Sequence, residues 1–452
     1  MAAQPRQLHL NAFLRNIGQH EAAWRLPETR ISGITDIDHY IELARVAERG
    51  KLDAIFFADH PVLKGKTEFR PFDALDPFTL VTALSGATSQ IGLVATASTT
   101  YNDPYSLARR FATLDHVSKG RAGWNIVTTA NADAAANFGY PNHPDPDHRY
   151  RRADEFLQVA LQLWDSWEDD AIVGDKDAPR FVDPDKIHRI DHVGEHFSVT
   201  GPLEVPRSPQ GHPVLFQAGS SEPGKEFATK YAEAIFTAQP TIAEGREFYS
   251  DVKTRIRKHG RNPDEVHILP GLSAVIGGTE AEAHALQRQL EDLTVPDYGL
   301  EQLSSIVGFP VTKDDLDRQL RFPENEDGNT HFIKSRYALI KRLVQTENLT
   351  VRELLLRLSS GRGHRLIAGT PEQVADDIEE WFTTGAADGF NLIPPALPSS
   401  LTAFVDHVVP ELQRRGLFRD EYTGATLRHH LGLPRPASRF ATGARTAAPA
   451  AS

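Results

Sequence analysis

The chain has 452 residues, 40% of them hydrophobic and 24% charged, with a net charge of -12 and no cysteine. Without cysteine there is no disulfide, thiolate nucleophile, Cys-ligated zinc or iron–sulfur cluster, and the acidic balance argues against a nucleic-acid backbone as the ligand. No run approaches the roughly 20 apolar residues of a membrane span, and the start of the chain lacks the cationic region and cleavage site of a signal peptide, so a cytoplasmic protein acting on a small molecule is expected.

In chain order, strand-like and helix-like patterns alternate. A strand at 8–14 is followed by a helix at 38–49 and a strand at 52–59 that ends on Asp59. Then come a helix at 76–89, a strand at 91–98, a helix at 104–117 opened by Pro104, and a strand at 121–128. A helix at 149–167 leads into a break in the rhythm at 169–211, where 190–199 reads as a hairpin turning at Gly194. The alternation resumes with strands at 213–220, 234–239 and 266–276, separated by helices from Glu222 and at 242–259. A helix at 279–293 precedes a second irregular stretch at 294–364, with short helical pieces, which could cover an active site. A helix at 371–384, a strand at 388–393 and a helix at 401–415 complete the pattern. Eight βα units with strands apolar on both faces predict a (β/α)8 TIM barrel, one domain over 1–433 with insertions near 169–211 and 294–364. Residues 434–452, rich in Ala, Pro, Arg and Ser, are expected to form a flexible tail or to contact a partner subunit.

A barrel of this kind carries its chemistry where strands end. That places Asp59 at the end of strand two, Thr96, Ser98 and Thr99 on strand three, Asn125 and Thr128 on strand four, and Gly219, Ser220 and Ser221 on strand five. The run 219–224, GSSEPG, passes from strand through glycine and two hydroxyls directly into a helix. Backbone N–H groups and the helix dipole there suit a phosphate, although a plain serine N-cap reads the same residues equally well. Neither GxGxxG nor GxxxxGK[ST] is present. His9 and His20 flank strand one, His60 follows Asp59, and His331 lies in the second insertion; any of the four could be a proton donor. His143, His148, His188, His192 and His196 gather around the first insertion without metal-ligand spacing, so no metal site is expected. Trp24, Phe57, Trp124 and Phe138 fit either the wall of an aromatic ligand or the core.

Several segments carry a family resemblance. HLNAF at 9–13, GQHEAAWR at 18–25, ATASTTY at 95–101, ARRFATLD at 108–115, GRAGWNIVT at 120–128, VPRSPQG at 205–211, QAGSS at 217–221 and GAADGF at 385–390 resemble the nitrilotriacetate monooxygenase component A and dibenzothiophene sulfone monooxygenase group. That group is a branch of the bacterial-luciferase-like flavin monooxygenases. The resemblance implies reduced FMN (FMNH2) and O2 as co-substrates, a separate NAD(P)H-dependent flavin reductase, a small organic substrate that is oxygenated and often cleaved, and a homodimer or homotetramer. By position it carries flavin contacts onto Asp59, Thr96, Asn125, Tyr150, Ser220 and Ser221, with the two serines at the phosphate. Relatives commonly have a histidine where this chain has Pro146; either His148 substitutes for it or that contact is absent. His20, His331 and the second insertion acting as a lid are assigned proton handling and water exclusion. The competing readings are a flavin-dependent lyase or other enzyme on the same barrel that inserts no oxygen, a non-catalytic flavin-binding protein, and a metal-dependent hydrolase.

Overall fold

The computed structural model describes residues 6–63, 67–219, 221–323, 334–361 and 363–441. Eight parallel strands run in it: β1 (His9–Leu14), β2 (Ala54–Phe57), β3 (Gly92–Ser98), β4 (Ala122–Val127), β5 (Val214–Gln217), β6 (Ala234–Thr237), β7 (His267–Ile276) and β8 (Gly389–Leu392). Neighbours in this series hydrogen-bond to each other, and β8 returns to β1 through His9↔Gly389 to Ala12↔Leu392, so the sheet closes on itself. This is the (β/α)8 TIM barrel expected from the alternation.

Side-chain alternation along each strand decides which layer a residue serves. Leu10, Ala12 and Leu14 of β1 join the main core with Leu43 and Ala44 of helix α1 (Ile37–Arg49). Phe13, Phe56, Val94, Phe216, Phe236 and Leu269 fill the barrel interior instead, with the Phe13 and Phe56 rings stacked at 4.7 Å. Helices α2 (Pro77–Ser85), α3 (Pro104–Val117) and α4 (Pro146–Trp164) start alike, each with an aspartate N-cap followed by proline, which sets a sharp turn just after the strand-end loops. Helices α5 (Glu222–Tyr231) and α6 (Ile242–Lys258) follow β5 and β6.

The lower end of the barrel is plugged by the C-terminal segment. Leu427, Leu431 and Leu433 belong to the interior cluster, and a Cβ on Gly92 would stand 2.5 Å from the Leu427 side chain, so glycine there leaves the plug its seat.

The two insertions differ in kind. The first contains the expected hairpin, as strands His192–Val193 and Ser198–Val199, and also an exposed pair, Ile172–Asp175 with Arg180–Val182, that has no apolar pattern to reveal it. The second follows α7 (Glu280–Asp292) and is more ordered than its sequence suggests. Its helices α8 (Pro296–Val307), α9 (Lys334–Glu347) and α10 (Val351–Gly361) share a core of their own around Leu303, Ile340, Val344 and Leu354. The chain then returns through an extra parallel strand, Arg365–Gly369, paired with the upper half of β7 from Leu272 to Ile276. Helix α11 (Pro371–Thr383) leads on to β8.

Residues 434–441 lie on the first insertion of the same chain: Arg207 donates to the Pro436 carbonyl at 2.6 Å, and the Phe440 and His188 rings stack at 3.6 Å. Among the described residues no helix is long and apolar enough to cross a membrane.

Candidate active site at the barrel mouth

The C-terminal mouth divides into two halves. On the β2 to β5 half the chain leaves β5 and turns at once into α5. Ser221 is the N-cap of that helix and accepts the Gly224 N–H at 3.3 Å. The turn is tight because two glycines face each other. A Cβ on Gly224 would lie 3.0 Å from Ser221 Oγ, 3.1 Å from Gly219 Cα and 3.1 Å from the Tyr150 hydroxyl. The result is a small concave space walled by Gly219, Ser221, Gly224 and Tyr150 at a helix N-terminus, where backbone donors and the dipole favour an anion. The Glu222 carboxylate is drawn aside by Lys225 and by Arg255 at 2.7 Å, which keeps its charge out of that space.

Next to it, Thr96 Oγ1 donates to the Phe57 carbonyl at 2.7 Å and accepts from Asn125 Nδ2 at 2.9 Å. This fixes the Asn125 amide and leaves its Oδ1 buried without a partner among the described residues, as is Gln217 Oε1 one strand over. Arg149 holds the Thr128 and Thr129 carbonyls at 3.0 and 2.8 Å and has its Nε buried and unmatched among the described residues. Buried polar atoms are nearly always bonded, so a group of orphans at one place marks where something else binds. Asp59, at the end of β2, has its carboxyl pushed up to about 6 by burial and by the nearby Asp76 charge.

The other half is built by β1, β7, β8 and the second insertion. His20 is buried, its imidazole held down to about 4 by burial, with Nδ1 accepting the Ala22 N–H at 3.1 Å and Nε2 3.3 Å from the Ser359 hydroxyl of α10. That contact ties the insertion to the barrel. Just past α10, the His364 ring lies parallel to Phe236 with centroids 5.1 Å apart. It fits because Gly271 of β7 has no Cβ, which would stand 2.3 Å from His364 Nδ1. Inside the barrel, Asn11 and Asn391 face each other in register, 0% and 1% exposed, and neither amide has a partner among the described residues. Glu21 is pushed up to about 7 by burial. Arg15, directly after β1, forks onto both oxygens of Asp73, whose Oδ2 also meets His60 Nδ1 at 3.1 Å.

Of the residues expected from the sequence, Asp59, Thr96, Asn125, Tyr150 and Ser221 stand on the first half, and His20 on the second. Ser220 and His331 lie outside the described residues. His148 sits in the first turn of α4 with its ring edge-on to His196 at 5.1 Å, on the flank of the first insertion. Trp124 faces outward into the helix layer, bonded to the Ala97 carbonyl at 3.0 Å, and Phe57 joins the same core. Phe138 does lie at the mouth, stacked on Tyr101 at 4.5 Å. Arg15, Asp73, Tyr298 and His364 were not singled out. For Arg15 the signal was there, since it directly follows a predicted strand; His364 becomes visible only once Gly271 is seen beneath it.

A groove of about 1060 Å³ lies outside the mouth, between α4, α5 and the 192–199 hairpin. Five carboxylates line it against Arg151 and Lys230, so its balance is acidic, unlike the adjoining cradle.

The family of luciferase-like monooxygenases matches residues 17–388. Nitrilotriacetate monooxygenase component A of Aminobacter aminovorans is 48% identical over 96% of this chain and 98% of the relative. N-acetyl-S-(2-succino)cysteine monooxygenase of Bacillus subtilis strain 168 is 45% identical over 98% of this chain and 100% of the relative. The structure of EDTA monooxygenase from Chelativorans sp. BNC1 superposes with a TM-score of 0.78 at 37% identity, over 95% of this chain and 99% of that one. The chain belongs to the luciferase-like monooxygenase family, and is an oxidoreductase of that family.

Proposed function

We propose that this protein is the oxygenating component of a two-component system: it binds reduced FMN at the barrel mouth and uses O2 to oxygenate a small organic substrate. A separate NAD(P)H-dependent flavin reductase supplies the flavin, and the working particle is a homodimer or homotetramer in the cytoplasm. The observation that carries this reading is the cradle of Gly219, Ser221, Gly224 and Tyr150 beside the unmatched Asn125, Gln217 and Arg149 atoms. The residues fit the group: a phosphate has room and donors at the start of α5, and a planar ring with hydrogen-bonding edges meets orphaned amides beyond it.

In this reading Ser221, Tyr150 and the α5 N-terminus hold the phosphate, and Ser220 joins them. Thr96 and Asn125 orient the ring, and Asp59 faces it with a carboxyl that exchanges its proton near neutral pH. When bound, reduced FMN supplies the electrons that activate O2. The protein's own work is exclusion and proton handling. His20 stays neutral at physiological pH, locks α10 over the mouth through Ser359, and keeps water from the reacting face with the second insertion as a lid. His331 remains a proposed proton donor, and His148 is assigned to the rim of the flavin site.

The test is an anaerobic titration with reduced FMN, followed by labelled oxygen and analysis of the product. Tight binding, label in the product, and loss of binding by at least about tenfold in the Ser220→Ala/Ser221→Ala double variant are expected. Unchanged affinity in that variant removes the phosphate assignment; product formed without label removes monooxygenation.

A further inference from the structure

The guanidinium of Arg15 is only partly used. Nε donates to Asp73 Oδ1 at 3.0 Å and Nη2 to Asp73 Oδ2, a two-point fork that consumes one edge of the group. Nη1 is buried, has no hydrogen-bond partner among the described residues, and belongs to a side chain only 9% exposed. An unmatched charged donor in such a place costs upward of about 1–3 kcal/mol, more than a surface latch between two loops would return. The position is also telling, because Arg15 is the first residue past β1, one residue below the level of Asp59 on the neighbouring strand.

A second donor group stands on the same rim. Arg70 Nη1 donates to the Tyr298 hydroxyl at 3.1 Å, so that oxygen acts as acceptor and keeps its own proton to give away. Tyr298 is 6% exposed and lies within electrostatic reach of Arg15 and Glu21. Helix α8 of the second insertion carries it, so the lid and the barrel each present a donor to one place.

We propose that Arg15 is a substrate-anchoring residue, taking a carboxylate of the substrate on the guanidinium edge that Asp73 leaves open while Tyr298 donates to the same group. The substrate class is then a carboxylated small molecule rather than a neutral hydrocarbon or sulfone. The chemistry favours a carboxylate because a guanidinium edge is planar and bidentate, and because a second guanidinium, Arg70, stands on the same rim through its bond to Tyr298. Glu21, pushed up to about 7 by burial, carries a proton for part of the time near neutral pH and so opposes an incoming anion less than its type suggests.

This inference rests on the mouth being the reacting site and deepens that reading. Isothermal titration of the full chain, with and without oxidised FMN, with nitrilotriacetate as a small tricarboxylate probe and dibenzothiophene sulfone as a neutral one, tests it. The tricarboxylate is expected to bind and the sulfone not to. Arg15→Met weakens tricarboxylate binding at least about tenfold and leaves oxidised FMN affinity unchanged; Arg15→Lys recovers part of the loss. Asp73→Asn, which breaks the same loop latch but spares the guanidinium, retains or tightens binding, which a merely structural role for Arg15 would not allow. Equal tricarboxylate affinity in the wild type and Arg15→Met, absence of tricarboxylate binding, or preference for the sulfone each overturns the proposal. Arg15-dependent tricarboxylate binding in a protein that takes up no flavin leaves this site standing and removes the flavin reading instead.

Discussion

The two ends of the barrel treat buried polar groups in opposite ways. At the lower end each charge is met. Asp53 accepts the Leu10 N–H at 2.7 Å and the Arg419 guanidinium, which also donates to the His430 carbonyl at 2.7 Å. Glu233 takes Arg428 at 2.6 Å and the Leu215 N–H at 3.0 Å, and Asp388 takes Arg6, Tyr249, Lys253 and the Ile268 N–H, all within 3.1 Å. At the mouth, Arg15, Asn125, Arg149 and Gln217, and below them inside the barrel Asn11 and Asn391, each keep at least one buried atom unmatched among the described residues. Hydrogen bonds of these lower charges are spent on the fold, while those above are left open, the pattern expected where stability and function draw on different residues of one barrel.

The largest effect expected from breaking this contrast is at the bottom. Arg419→Met strands the fully buried Asp53 charge and should remove about 3–5 kcal/mol of stability, measured by urea unfolding; a variant as stable as the parent would mean the lower ion pairs are not structural. The acid limb sharpens the same point. Burial alone would raise both carboxyls, yet Arg419 and His9 hold Asp53, and Lys253 and His267 hold Asp388, at about 2 from an ordinary 3.8. A depressed carboxyl contributes stability that is complete above the unfolded value and lost as pH falls. Each should therefore contribute about 2 kcal/mol above pH ~4 that disappears toward pH ~2. Arg419→Met should flatten that part of a melting-temperature profile.

At the mouth the sign reverses. Glu21 is raised from 4.5 to about 7, so its ionisation opposes folding, and the protein loses stability as pH rises through that interval. Glu21→Gln should stabilise the protein by about 1 kcal/mol at pH ~8, after discounting for its partial exposure, and do nothing at pH ~4; stabilisation at both pH values would point to packing instead. The smallest effect belongs to Ser221. Its replacement by alanine removes a helix cap worth about 1 kcal/mol, and the loss in apo stability should be smaller than the loss in flavin affinity if the hydroxyl serves both tasks. A loss confined to stability would leave Ser221 a cap alone.

Sequence by itself determined the barrel, its eight strands in order, both insertions and most of the polar rim on the β2 to β5 half, because strand alternation, prolines at helix starts and strand-end polar residues are local signals. Asp59, Thr96, Asn125 and Ser221 were legible for that reason. The strand at Arg365–Gly369 was not, since it is half-buried on an edge and its apolar run, Leu366 to Ala368, is short. Nor was the division of polar groups into spent and unspent, because Arg15 and Arg419 are the same residue type beside carboxylates. Only the tertiary structure decided that one guanidinium meets Asp53 and a carbonyl, while the other, forked onto Asp73, is left with a buried, unmatched Nη1 among the described residues: hydrogen-bond satisfaction depends on what the fold brings within about 3 Å, and no spacing along the chain contains that distance.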